Sequence, residues 1–165
     1  DIIRCHGHYG ETPLLEFVRK TADYSDMEGE KLSGDQIALA MMRARDHSPV
    51  VASHASAVGV RPSRGPPHYA FLLEEHEIRD EATGQTFLNI VDQSLRDMNV
   101  MYRQKRGDSS LGPPILHLIE DGTWQQFSAA RGAERHTGES QFKHPPFLDS
   151  QFLSDIHICR TITTR

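Results

Sequence analysis

Three prolines and a glycine fall within the seven residues Arg61-Pro62-Ser63-Arg64-Gly65-Pro66-Pro67, and this segment constrains the fold more than any other. Proline lacks the N–H that a helix interior or a central strand requires, so the segment is a loop. It delivers the chain directly to His68. Beyond it, Tyr69, Phe71 and Leu73 alternate with Ala70 and Leu72, the pattern of a strand with two unlike faces. After the polar stretch from Arg79 to Gln85, which contains Gly84, the block Thr86-Phe87-Leu88-Asn89-Ile90-Val91 is rich in β-branched and aromatic residues and reads as a returning strand. The two blocks predict a β-hairpin with His68 at one end and Asp92 at the other.

The flanking sequence supplies helices and further strands. Thr12-Pro13 reads as an N-cap followed by proline at the first helical position. Leu14, Leu15, Val18 and Ala22 then share one face, which predicts a helix from about Pro13 to Tyr24. Ser33-Gly34-Asp35 ahead of the apolar run Ile37 to Met42 predicts a second helix ending near Arg45, capped by Ser33 or Asp35. Pro49 to Ser53 reads as a short buried strand, with Val58-Gly59-Val60 in a turn out of it. Ile115 to Ile119 is a third strand, Asp121-Gly122 a turn, and Thr123 to Phe127 a further short strand. From Ala129 to Pro146 glycine, histidine, charge and proline dominate, the composition of a mobile loop, and its Gln141 to Pro146 tract reads as solvated.

With 165 residues, 37% of them hydrophobic, the chain is long enough to bury one sizeable core, so a single catalytic domain over 1–165 is expected. No apolar run is long enough to span a bilayer, and the first residues do not read as a secretory signal. The chain begins at Asp1 without a methionine, so targeting is left out of the reading. A net charge of −5 without clustered Lys and Arg disfavours nucleic acid and favours protein or small-molecule partners. Two cysteines, Cys5 and Cys159, are too few for a disulfide framework, which points to a reducing compartment such as the cytoplasm, with a single clasp between them as the alternative.

If register places His68 and Asp92 on one face of the hairpin, the carboxylate can hold the imidazole N–H and stabilise an imidazolium, which makes a general base. Such a base needs a nucleophile. Cys5, set among Gly7 and Gly10, is the better placed thiol, whereas Cys159 follows the alternating segment Ile156-His157-Ile158. His6 and His8, with Glu11 or His68, offer only a weak zinc pattern, because H-x-H lacks a second spaced ligand pair. No metal or cofactor is therefore expected. Oxyanion stabilisation would fall to the Cys5 N–H, to a donor in sequence upstream of Asp1, or to a side chain such as Gln36 or Trp124.

The order Cys5, His68, Asp92, with Cys5-His6-Gly7-His8-Tyr9 and Ile90-Val91-Asp92-Gln93-Ser94 around nucleophile and acid, resembles the papain-like and transglutaminase-like superfamily of thiol enzymes. The resemblance implies an α+β core of N-terminal helices packed on an antiparallel β-sheet and a Cys-His-Asp triad. It also implies thiol-dependent acyl transfer on a protein amide, as in proteases, glutamine deamidases and transglutaminases, several of them bacterial effectors delivered into host cells. The blocks around His68 and Asp92 also resemble ubiquitin-like-protein proteases and their acetyltransferase relatives, which would make Cys159 the nucleophile. From another class, Arg4, Ser53 and Glu134 or Glu139 resemble the Arg, Ser and Glu order of ADP-ribosyltransferases. A non-catalytic protein-interaction domain is the third reading.

Overall fold

The computed structural model describes residues 2–19, 24–52, 54–135 and 144–164. It opens with a hairpin of β1 (Ile2–Tyr9) and β2 (Thr12–Arg19), where a helix over Pro13 to Tyr24 is expected from sequence. Gly10 explains the difference. At φ 62° it takes the first place in a two-residue loop between the paired Tyr9 and Thr12, a position that favours glycine. Leu14 and Leu15, expected to anchor that helix, are 52% and 56% exposed, and residues 20–23 of its expected span lie outside the described residues.

A short ribbon, β3 (Tyr24–Ser25) with β4 (Leu32–Ser33), leads into α1 (Gly34–Asp46). This helix is the expected one. Ser33 Oγ accepts from Gln36 N at 3.2 Å while Gln36 Oε1 accepts from Ser33 N at 3.1 Å, a reciprocal capping box. Between the two ribbon strands the buried Glu30 carboxylate accepts from Met27 N, Glu28 N and the Tyr69 hydroxyl, which ties the loop to the core.

Next in the chain, β5 (Ser56–Val60) occupies the place expected to be a turn. The strand expected at 49–53 is not formed by its described residues, of which Val50 and Ala52 are buried and Val51 points out; Ser53 lies outside the described residues. The proline-rich loop then leads into β6 (His68–Glu74), as the alternation predicts. Beyond a 3₁₀ turn at Glu75–Glu77 the returning strand is absent: α2 (Glu81–Met98) runs through it. Asp80 caps this helix by accepting from Thr83 N at 2.7 Å, and Phe87, Leu88, Val91 and Leu95 recur at helical spacing on the buried side. Helix α3 (Val100–Gly107) follows, then β7 (Ile115–Ile119) as expected.

Gly122 makes the expected turn at φ 87°, but α4 (Thr123–Arg135) replaces both the strand expected at Thr123 to Phe127 and the first part of the loop expected at 129–146. Residues 136–143 lie outside the described residues. The chain ends in β8 (Phe147–Leu148), the single turn α5 (Phe152–Asp155) and β9 (Ile158–Thr163).

Among the described residues five strands form one sheet in the order β8-β5-β6-β7-β9. The expected α+β class holds, but the sheet is mixed, not antiparallel: β6 pairs parallel with β7 through the α2–α3 crossover, and β5 pairs parallel with β8. A papain-like core is not what forms. One face is covered by α1 and α2, with Ile37, Met41, Phe87, Leu88 and Leu95 packed on Phe71, Leu73, Leu116 and Ile162. The other is covered in part by α4, where Trp124 meets Val58, Leu72 and Ile119. No helix of the described residues is long and apolar enough to cross a membrane.

Candidate functional site

The three residues expected to form a triad sit on three separate elements. Cys5 is on exposed β1, its thiol donating to Gly7 O at 3.3 Å. His68 begins β6, with Nδ1 3.4 Å from Pro66 O. Asp92 lies within α2, where Tyr102, Arg96 and Arg106 occupy both of its oxygens. Burial opposes ionisation of this carboxyl, but hydrogen bonds from Arg106 and Tyr102, the Arg106 charge and Arg96 outweigh it and lower the pKa. Among the described residues no hydrogen bond or ion pair joins Cys5, His68 and Asp92. The hairpin that was to unite His68 with Asp92 does not exist, because Asp92 lies on a helix.

Cys159 offers no better nucleophile. It is free and exposed, with its sulfur 3.8 Å from His157 Nδ1. Desolvation and the carboxylates of Glu75, Glu120 and Asp121 push its thiol pKa up, the opposite of what thiolate chemistry requires. Among the described residues His6 and His8 form no donor cluster with Glu11 or His68; His6 Nε2 lies 2.5 Å from Glu16 Oε2 on β2.

What the fold does assemble is a set of imidazoles on the sheet face that α4 only partly covers. His117 Nδ1 and Thr161 Oγ1 are 2.8 Å apart, joining β7 to β9. Desolvation and then the nearby His68 hold His117 below the ordinary histidine pKa. On the β5 side, His144 lies 4.6 Å edge-on from Trp124, which in turn stacks on Phe152 at 5.9 Å. His144 Nε2 is 2.7 Å from Ser56 Oγ, and Ser56 Oγ donates its one proton to Pro145 O at 2.7 Å. Nε2 must therefore carry the imidazole proton and donate it to Ser56, which leaves the Nδ1 lone pair buried without a partner among the described residues. The tract expected to be solvated thus packs onto β5 at 144–146, where Ala57 N also donates to Pro146 O at 2.8 Å.

Burial and then His54 push the His144 pKa down to about 4, so this ring is neutral near pH 7. An unfolded histidine takes up its proton near pH 6.5. His144 therefore costs no stability above that value, and folding is progressively weakened as pH falls from about 6.5 toward 4. An NMR titration is expected to show the His144 ring protonating near pH 4, two or more units below the unperturbed histidine value of about 6.5.

Sequence reasoning missed His117, His144 and Ser56. Their partners lie 44 and 88 positions away, so no local motif announces them.

Comparison with known proteins decides the family. Residues 35–151, more than half of the chain, match the family model for the GH3 family C-terminal domain. The chain belongs to the GH3 family. The match runs from α1 to the residue before α5 and so takes in β5 to β8 of the sheet but not β9. The domain is 26% identical over 150 residues to the indole-3-acetic acid-amido synthetase GH3.8 of Oryza sativa subsp. indica, covering 81% of this chain and 24% of that protein. It is 24% identical over 178 residues to a probable indole-3-acetic acid-amido synthetase, GH3.9, of Oryza sativa subsp. japonica, covering 100% and 40% respectively. A GH3 domain-containing protein of Homo sapiens is 24% identical over 143 residues, covering 81% and 26%. The solved GH3.15 acyl acid amido synthetase superposes with a TM-score of 0.73 at 19% identity, covering 100% of this chain and 31% of that one, which shows the fold. The GH3 C-terminal domain described here thus spans between 24% and 40% of the length of these curated relatives.

Membership in GH3 overturns the papain-like and transglutaminase-like resemblance, and with it the thiol-dependent acyl transfer, the Cys-His-Asp hydrolase or acyltransferase, and the protease, deamidase and effector readings. The ADP-ribosyltransferase order falls with them. Short matches around Cys5, His68 and Asp92 carried the thiol resemblance, and they depended on a strand pairing that the fold does not make.

Proposed function

We propose that this chain is the C-terminal domain of an acyl acid amido synthetase, which joins the carboxyl group of a small organic acid to an amine. The observation that carries this reading is the family match over residues 35–151. Relatives named as amido synthetases in two rice subspecies, and the fold of a solved acyl acid amido synthetase, support it. A free carboxylate is a poor electrophile, so amide synthesis needs a leaving group on the acyl carbon. A nucleoside triphosphate supplies one by transferring its nucleotidyl or phosphoryl group to the carboxylate. The amine then attacks the acyl carbon, and the nucleotide or phosphate departs with the bonding electrons.

In this reading the domain is one part of a catalytic unit and works with the remainder of the enzyme. Neutral imidazoles at His117 and His144, exposed in part on the open sheet face, suit contacts with polar groups without adding charge. The test uses the polypeptide that carries this domain with any flanking sequence, supplied with carboxylic acids, amino acids and ATP with Mg²⁺. Mass spectrometry is expected to detect a condensation product, acid plus amine less one water, that requires ATP. A full-length protein that consumes no ATP in response to any acid, and forms no condensed product, would contradict the proposal.

A further inference from the structure

Glu74, His76 and Asp121 converge just where β6 and β7 end, and we propose that they bind one divalent transition-metal ion of the zinc class. One donor atom from each of the three residues lies within 4.8 Å of the other two. His76 Nδ1 is 2.8 Å from Asp121 Oδ1 and 3.7 Å from Glu74 Oε2. Tetrahedral zinc, with bonds of about 2.0–2.2 Å to nitrogen and carboxylate oxygen, sets its donors roughly 3.3 Å apart. The two separations from His76 Nδ1 straddle that value, and the third pair of donors lies within 4.8 Å, so side-chain adjustment would be needed to complete the set.

The donors are held by the main chain. Glu74 Oε1 accepts from Trp124 N at 3.0 Å, which leaves Oε2 turned toward His76, and Glu74 N donates to Glu77 Oε2 at 2.9 Å. Asp121 Oδ1 accepts from His76 N at 3.1 Å, which fixes the carboxylate beside the ring. The Glu74 side chain is 12% exposed while His76 and Asp121 are 58% and 57% exposed, so the cluster has a fixed floor and an open mouth where water can supply a fourth ligand. Two carboxylates and a neutral imidazole carry a charge of −2, which a divalent ion cancels. One nitrogen with two carboxylate oxygens favours zinc, cobalt or manganese over calcium, which prefers oxygen alone. A bound ion would tie the exit of β6 to the turn that starts α4.

The experiment titrates Zn²⁺, and separately Co²⁺, into chelator-treated protein by calorimetry and visible absorption, with melting temperature read in parallel. One equivalent is expected to bind, with a Co²⁺ d–d band and a zinc-dependent rise in Tm. His76→Ala and Asp121→Asn, both at exposed positions, are each expected to weaken binding by about 10-fold or more, in line with loss of a ligand or its support. His6→Ala, which removes the separate His6–Glu16 pair on the N-terminal hairpin, is expected to leave it unchanged. Absence of binding by the wild-type protein at millimolar metal would overturn the proposal. So would unweakened binding in both His76→Ala and Asp121→Asn, or loss of binding in His6→Ala.

Discussion

Replacing Asp92 with alanine is expected to lower folding stability by about 3 kcal/mol and Tm by roughly 6–12 °C. The Asp92 side chain is 14% exposed and joins two helices. Tyr102 Oη donates to Oδ1 at 2.7 Å, Arg106 Nε donates to Oδ1 at 3.0 Å and its Nη2 to Oδ2 at 3.2 Å, and Arg96 Nε donates to Oδ2 at 2.9 Å. Alanine would leave the Arg106 guanidinium, 10% exposed, with only Leu111 O at 3.0 Å, and would strand the buried Tyr102 hydroxyl. The loss is expected to depend on pH. The folded pKa of Asp92 is lowered, so its contribution is complete above the unfolded value of about 3.9 and fades as pH falls through the folded one. Denaturant unfolding of both proteins between pH 3 and 7 is therefore expected to show the gap narrowing at the acid end. A variant as stable as wild type would mean that the ion cluster does not clamp α2 to α3.

The second large effect is expected on the other sheet face. Trp124 is 3% exposed and packs with Val58, Leu72, Ile119 and Phe152, so Trp124→Ala is expected to cost about 3–5 kcal/mol through lost burial and an unfilled cavity. The first-face core does not use Trp124, so the damage should be uneven. Hydrogen exchange is expected to show protection falling most in α4 and β8 and least in α1 and α2. Uniform loss across all four would show that the two faces unfold as one unit.

Two strands of the central sheet and one helix were legible in the sequence because they rest on local patterns. Helix α1 was announced by Ser33 and its apolar run, β6 by its alternation after the prolines, and β7 by Ile115 to Ile119. Helix α2 was misread because Thr86 to Val91 is β-rich within six residues, whereas the helical repeat of Phe87, Leu88, Val91 and Leu95 emerges only over a longer window. The N-terminal hairpin was misread because Thr12-Pro13 has the chemistry of a helix cap, and the deciding feature was the glycine at position 10. Misreading α2 alone was enough to create a false site, since it moved Asp92 from a helical ion cluster to a strand beside His68. The real juxtapositions, His117 with Thr161 and Ser56 with His144, depend on sheet order and on the path of the chain after α4, neither of which leaves a local trace.

The most direct test of the amido synthetase reading uses the doubly substituted Cys5→Ala, Cys159→Ala protein, with any flanking sequence retained and any other cysteines left in place. If activation by a nucleoside triphosphate drives amide synthesis, this variant is expected to form the acid–amine product within about two-fold of the wild-type rate and to remain fully dependent on ATP. Loss of product with the two thiols would contradict the account and return the chemistry to a cysteine, and product formed at the wild-type rate without ATP would contradict activation by a nucleoside triphosphate.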